Sequence, residues 1–336
     1  MNWTIKDVAK YANVSTATVS RIINNISRGY SEETKHRVLK VIEELNYQPN
    51  AVARGLVSKR TNTIGVLLPN VSNMFASEVL NGIEDVAHSL EHSVIVCNTD
   101  SNGSRTMEYL RMLSEKRVDG IIFTSEILTD AYYEAVRDMN VPIVLVSTMS
   151  DKHQVPYVKV DDQQATYGGT QYLIERGHRR IAMLSGPKED PIAGQPRVEG
   201  YQRALTANGI EVDPSCIFYA RDFGHQMGYG MLEQILQCSP AVTAVLASSD
   251  ELAAGVLSRA YELGIKVPAE LSVLGFDNTK IAEMVTPPLS VIAQPLYDMG
   301  KIASEMLFDL LAGRNIANQV VPFEVIERDT VATITR

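Results

Sequence analysis

Two helix-start signals stand about eleven residues apart within residues 4–24, separated by a turn too tight for anything but a helix-turn-helix. Thr4 is placed to cap a first helix, with Asp7 three positions on, and Ser15 to cap a second that runs through Val19, Ile22 and Ile23. Ala9, Ala12 and Val14 form a small apolar elbow between the two. The start of the second helix suits a DNA major groove, because the short Thr16 and Ala17 allow close approach while Arg21 can reach a guanine edge or a phosphate. An ordinary helical hairpin is the bland alternative.

A third helix is expected from Ser31, favoured by Glu32 and Glu33 at its N-terminus and carrying Val38, Val41, Ile42 and Leu45 at helical spacing. It completes a three-helix globule. Pro49 then breaks the chain, and Asn50 can cap a new helix too short to persist alone.

The net charge of −9 hides an asymmetry. Residues 1–60 hold ten Lys and Arg against five Asp and Glu, a net of +5, which leaves 21 against 35, or −14, for the rest. Phosphate contact needs positive charge only where the surfaces meet, so an acidic body behind a basic head is compatible with DNA, and binding is expected to fall with salt. The three cysteines, Cys97, Cys216 and Cys238, have no CxxC spacing, which predicts free buried thiols and no metal framework. Lys6, Asp7 and Lys10 interrupt any leader-like apolar run, and no stretch reaches the ~18 apolar residues of a membrane span, so a soluble, cytoplasmic, unexported protein is expected.

From residue 63 onward, β-rich runs alternate with helical ones: strands at 64–68, 94–97, 120–124 and 141–146 with helices near 77–92 and 104–116, then strands at 181–184, 217–219, 242–247 and 272–276 with helices such as 198–208 and 252–263. This is the rhythm of two doubly wound parallel sheets flanked by helices, with the chain crossing near 159–162. A strand at 289–294, an amphipathic helix through Leu311 and a last extended pair around 320–326 imply further crossings.

No enzyme motif is present: there is no GxGxxG behind the first strand, no GxxxxGK[ST] loop, no GxSxG elbow and no HExxH. His88 and His92 form one i,i+4 pair without a third ligand nearby and read as a solvated helix face. Neither cofactor nor catalysis is expected.

The segments Val14 to Arg21, Leu45-Asn46-Tyr47-Gln48-Pro49-Asn50 with Ala53 to Leu56, Asp119-Gly120-Ile121-Ile122, Gly177-His178-Arg179, Gly275-Phe276-Asp277 and Gln294-Pro295 together resemble the LacI/GalR family of transcriptional regulators. The resemblance spans nearly the whole chain. It implies an α/β architecture: a three-helix helix-turn-helix headpiece (1–47), a hinge helix and linker (48–62), and a two-lobed periplasmic-binding-protein-like core (63–336). Lobe one is expected at about 63–160 plus 292–322, and lobe two at about 161–291 plus 323–336. In the family, Leu56 matches a leucine that wedges into the minor groove when the hinge helix folds on operator DNA, and Ala53 lets two such helices approach. Thr16, Ala17 and Arg21 would read bases, while Thr4, Ser20, Asn24 and Asn50 would mostly hold the duplex. Ser20 and Asn24 read equally well as plain polar residues of a helix.

The resemblance places a small molecule between the lobes, at the C-terminal ends of parallel strands. Asp250, Asp277 and Gln294 each follow a strand run, and Arg197 stands before a helix of the second lobe. Forked polar groups satisfy adjacent hydroxyls and aromatic rings cover the apolar face of a sugar, parts that Arg197, Asp277, Gln294, Phe75 and Phe223 offer. Ser147, Ser249 and Asp250 match effector positions as well, though each also fits a helix cap or a turn.

Expected partners are therefore a pseudo-palindromic double-stranded DNA operator, a sugar-like effector and a second copy of the chain, as a homodimer or a tetramer. Two alternatives stand beside this reading. Likeness to catabolite control proteins, through residues 50–56, 275–279 and 294–298, would bring a phosphoprotein or sugar-phosphate corepressor, although Ser304-Glu305 falls where those relatives present an arginine to phosphoserine. A sugar-binding protein without DNA function would share the body but have no use for residues 1–60.

Overall fold

The computed structural model describes residues 3–23, 26, 28–47, 60–100 and 104–334, and the chain divides into two compact units, 1–62 and 63–336.

The first unit holds helices α1 (Ile5–Tyr11), α2 (Thr16–Ile23) and α3 (Glu32–Glu44). Each begins at a polar cap. Thr4 and Asp7 form a reciprocal capping box, the Ser15 hydroxyl accepts from the Thr18 amide at 3.2 Å, and Ser31 accepts from Thr34 at 3.2 Å. Val8, Ala9, Ala12, Val19, Ile22, Val38 and Val41 make one small core, and the Arg37 Nε donates to the Ala12 carbonyl at 2.9 Å, tying α3 to the turn.

In the second unit, lobe one contains β1 (Thr63–Leu68), α4 (Met74–Ser89), β2 (Ser93–Asn98), α5 (Thr106–Lys116), β3 (Gly120–Thr124), α6 (Asp130–Met139), β4 (Ile143–Val146) and β5 (Tyr157–Val160). Lobe two follows with α7 (Asp162–Glu175), β6 (Ile181–Ser185), α8 (Gly194–Ala207), β7 (Ile217–Tyr219), α9 (His225–Ile235), β8 (Ala244–Ala247), α10 (Asp250–Glu262), β9 (Ser272–Asp277), α11 (Ile281–Met284) and β10 (Ser290–Ala293). The chain then returns to lobe one as α12 (Leu296–Leu311) and β11 (Gln319–Val321), and ends in lobe two with β12 (Glu324–Ile326).

The sheet orders are β11-β5-β4-β3-β1-β2 and β12-β10-β9-β8-β6-β7, all parallel except the β12 edge against β10. The central strands are buried and mainly apolar, as burial on both faces requires, with polar residues only at their ends, and each sheet is sandwiched between two apolar layers of helices. In lobe one, α4 and α12 cross at Gly82 and Gly300. A Cβ at Gly82 would lie 2.0 Å from the Tyr297 carbonyl, and one at Gly300 would lie 2.0 Å from that of Val79.

The last extended pair around 320–326 is β11 and β12, which join different sheets and so make the expected further crossing. Three expectations need correction. All of β10 pairs with β9, so the return to lobe one falls after Ala293 and not at 292. His92 lies beyond the end of α4 and off any solvated helix face: its Nδ1 meets the Leu90 carbonyl at 2.7 Å and its ring packs edge-on against Phe308 at 4.7 Å. Cys97 and Cys216 are buried free thiols, but Cys238 is only half-buried. Among the described residues no helix is long and apolar enough to cross a membrane, and no cluster of three metal-ligating side chains occurs.

Candidate functional site

In the headpiece, Val19 and Ile22 turn inward from α2, which leaves Thr16, Ala17 and Arg21 exposed on its other face with Ser20 half-buried beside them. Thr4 is exposed at the start of α1, where its hydroxyl is engaged with Asp7. The outward face of α2, the second helix of a helix-turn-helix, thus offers two small side chains at its N-terminal end and one cation in its last turn, a shape that enters a major groove. Asn24, Asn50, Ala53 and Leu56 lie outside the described residues.

Between the lobes, at the C-terminal ends of both sheets, lies a cleft of about 810 Å³. All eight side chains singled out from the sequence line it: Phe75, Ser147, Arg197, Phe223, Ser249, Asp250, Asp277 and Gln294. Arg197 belongs to the first turn of α8 and does not precede it. The Asp190 carboxylate accepts from the amides of Ile192 and Gly194 at 2.9 and 3.0 Å, which starts the helix early, and Pro196 is tolerated there because first-turn amides have no helical partner.

The Arg197 side chain is buried and fully directed. Its Nε donates to Asp162 at 2.9 Å, its Nη1 donates to the Ser248 carbonyl at 2.5 Å, and its guanidinium carbon stands 3.7 Å from the centre of the Phe276 ring. Lys159 approaches the other oxygen of Asp162 at 3.2 Å. Asp162 therefore joins two cations where the chain first crosses between lobes.

Asp277 ends β9 with φ +115°, a left-handed value that is costly for a residue with a Cβ and is held here by neighbours. Gln294 Nε2 donates to its Oδ1 at 2.7 Å. Burial pushes the Asp277 carboxyl up to about 7, against the opposing pull of Arg197 and the Gln294 bond. Burial, followed by the charge of Asp277, also raises Asp250 well above the usual carboxylate range. The Asp250 Oδ2 accepts from the Thr279 amide and hydroxyl at 2.6 and 2.9 Å, whereas its Oδ1 has no protein partner. A side chain at Gly275 would place its Cβ 2.8 Å from that Oδ1.

Ser249 caps α10 by accepting from the Leu252 amide at 3.0 Å and donates to the Phe223 carbonyl at 2.7 Å, so its oxygen is occupied in holding the Phe223 loop. The Phe223 ring lies over Gly186. Ser125 and Ser147, at the tips of β3 and β4 with φ +50° and +54°, both carry buried hydroxyls without partners.

Sequence reasoning missed several residues that line the cleft. Glu126 accepts from Thr99 and Thr106 at 3.0 and 2.9 Å, and burial raises its pKa. Asn73, Tyr132, Asp190 and Glu251 also line the space. Glu251 accepts from the Met74 amide at 3.4 Å, and Lys280 reaches Glu78 at 3.4 Å, two links from lobe two to α4 of lobe one. The rule that picked Asp250, a polar residue just past a strand, would have found Glu126.

Residues 4–50 match the family model for bacterial regulatory proteins of the lacI family, and residues 170–331 match a periplasmic binding protein-like domain. The chain is 40% identical over 321 residues to catabolite control protein A of Priestia megaterium, covering 96% of each chain. It belongs to the LacI family. This LacI-family regulator is also 38% identical over 334 residues to the transcriptional repressor PurR of Vibrio atlanticus, covering 98% of its own length and 99% of that protein's. A crystal structure of the Lac repressor dimer bound to operator and the anti-inducer ONPF superposes with a TM-score of 0.87 at 30% identity, covering 99% of this chain and 100% of that one. The protein is a DNA-binding transcriptional regulator with a helix-turn-helix reader and a ligand-binding type of body. Its relatives are regulators and not enzymes.

Proposed function

We infer that this regulator is a cytoplasmic repressor of carbohydrate-utilisation genes, a homodimer on a pseudo-palindromic operator, whose grip changes when a sugar or sugar derivative closes the inter-lobe cleft. The observation that carries this reading is the polar lining of the cleft. The buried Arg197 and the hydrogen-bonded pair Asp277–Gln294 line the same space as the partnerless atoms Asp250 Oδ1, Ser125 Oγ and Ser147 Oγ. Buried polar atoms without partners are costly, and a ligand rich in hydroxyls satisfies several at once. Phe75 and Phe223, from opposite lobes, supply apolar faces for the ring.

Thr16, Ala17 and Arg21 read base edges, Thr4, Ser20, Asn24 and Asn50 hold the duplex backbone, and Ala53 and Leu56 act in the hinge. Effector closure works by favouring one of two lobe arrangements that hold the paired hinges differently, a coupling of about 1–3 kcal/mol.

A phosphoprotein corepressor is less well supported. Ser304 is buried and donates to the Ile83 carbonyl at 3.2 Å, while the exposed face of α12 carries Asp298 and Glu305 against one cation, Lys301, a net negative charge that disfavours a phosphoserine.

The test is a thermal-shift screen of the full chain against a saccharide panel, followed by operator binding with each hit. A saccharide that raises Tm and alters operator affinity is expected. In Arg197→Ala, operator binding should persist while the effector response is lost. A panel without hits, or a normal response in Arg197→Ala, overturns the reading.

A further inference from the structure

The cleft is rich in carboxyl groups, and its cations are already matched. Its described lining residues carry eight Asp and Glu side chains against three Lys and Arg. Lys159 and Arg197 share Asp162, with Arg197 held further by Ser248 and Phe276. The third cation, Arg221, is 83% exposed at the rim and lies 3.8 Å from Asp222.

Three of the other carboxylates are held by neutral dipoles: Glu126 accepts from two threonine hydroxyls, Asp190 from loop amides and Glu251 from the Met74 amide. Asp222 accepts from the Gly224 amide at 2.9 Å and has only the exposed Arg221 near its other oxygen. Such bonds orient a carboxylate without cancelling its charge. Even with Asp250 and Asp277 both protonated, six carboxylates face three cations.

A phosphate or carboxylate on a ligand would leave water here without gaining a counter-charge, and would sit within range of several like charges. Hydroxyls suit the same lining well, since an ionised carboxylate accepts strong bonds from adjacent O–H groups.

We propose that the cleft takes an uncharged polyhydroxylated effector and turns away its phosphorylated or acidic counterparts. The discrimination is built from unmatched carboxylates, the kind of unfavourable pairing by which sites reject a near-identical competitor. This inference rests on the carbohydrate reading above and narrows it: a sugar-phosphate corepressor belongs to the excluded class.

Isothermal titration of the full chain with matched pairs tests it: glucose, galactose, mannose, maltose and cellobiose, each beside its 6-phosphate. The neutral member of any binding pair should bind at least about tenfold tighter than its phosphate. That ratio should shrink several-fold in Asp222→Asn and in Glu251→Gln, and shrink again as salt is raised. A phosphate that binds as tightly as its neutral partner, or better, overturns the inference and leaves the carbohydrate reading standing. An unchanged ratio in both variants assigns the selectivity to shape and overturns the electrostatic argument. Failure of every sugar, phosphorylated or not, removes the carbohydrate reading and this inference with it.

Discussion

The Gln294 side-chain amide donates to the Asp277 carboxyl at 2.7 Å, and the Gln294 backbone N–H donates to the Asp277 carbonyl at 3.1 Å. The residue that opens the return to lobe one is thus tied twice to the end of β9, and any change at Asp277 is felt where the lobes join.

Asp277 makes stability depend on pH. Its carboxyl titrates at about 7 when folded and near its ordinary 3.8 when unfolded, so between those values the folded state holds a proton that the unfolded state has lost. Stability from this group is present below the unfolded pKa and declines as pH rises toward 7, by up to ~1.4 kcal/mol per pH unit. Asp277→Asn should lack this slope. Urea unfolding at pH 5 and pH 8 checks it: the variant should gain on the parent chain at the higher pH.

Arg197→Met keeps an apolar contact with Phe276 but leaves Asp162 with Lys159 alone. A loss of about 2–3 kcal/mol is expected, below the full cost of stranding a buried charge because one cation remains. Denaturant midpoints measure it, and a loss under 0.5 kcal/mol would mean that the ion pair is dispensable for folding.

Gly82→Ala pushes a methyl group into the Tyr297 backbone, where side-chain rotation gives no relief. A destabilisation of about 3 kcal/mol is expected, at the upper end for overpacking. Calorimetry should show a lower Tm for the body.

Ser31→Ala removes the cap of α3, and with it about 1 kcal/mol of headpiece stability. Hydrogen exchange on the full chain should show faster amides in residues 32–44, and the body should be unchanged.

Leu56→Ala should weaken specific operator binding and leave effector affinity intact. Electrophoretic mobility shifts beside titration calorimetry separate the two, and unchanged operator affinity would rule out a wedge at Leu56.

Much of this was legible in the sequence because caps and apolar runs are local signals. Thr4, Ser15 and Ser31 all cap helices where sequence reasoning placed them, and the buried runs at 120–124 and 272–276 are central strands. Helix α7 carried no clear stripe. Its buried face mixes Asp162, Thr166, Gly169 and Thr170 with Ala165, Leu173 and Ile174, which blurs the hydrophobic contrast, and the close approach of α8 is made by Gly200 against the Gln163 backbone. In the cleft, Arg197 and Asp277 stood out by position after or beside predicted elements. The role of Glu126 depends on Thr99 and Thr106, some 20 residues or more away in sequence, which spacing alone does not reveal. Ser249 was chosen as a ligand-facing residue with capping as its alternative, and the cap is what its hydroxyl makes.

The route of the chain through both sheets also constrains synthesis. Lobe one draws Leu296, Met299, Ala303 and Leu307 of α12, and then β11, from beyond all of lobe two except its last strand. A nascent chain therefore cannot finish its first-made lobe until Val321 has left the ribosome; before that the β5 edge lacks β11, and the core that α4 shares with α12 is incomplete. Neither lobe corresponds to one uninterrupted stretch of gene, so the body can be exchanged between regulators only whole.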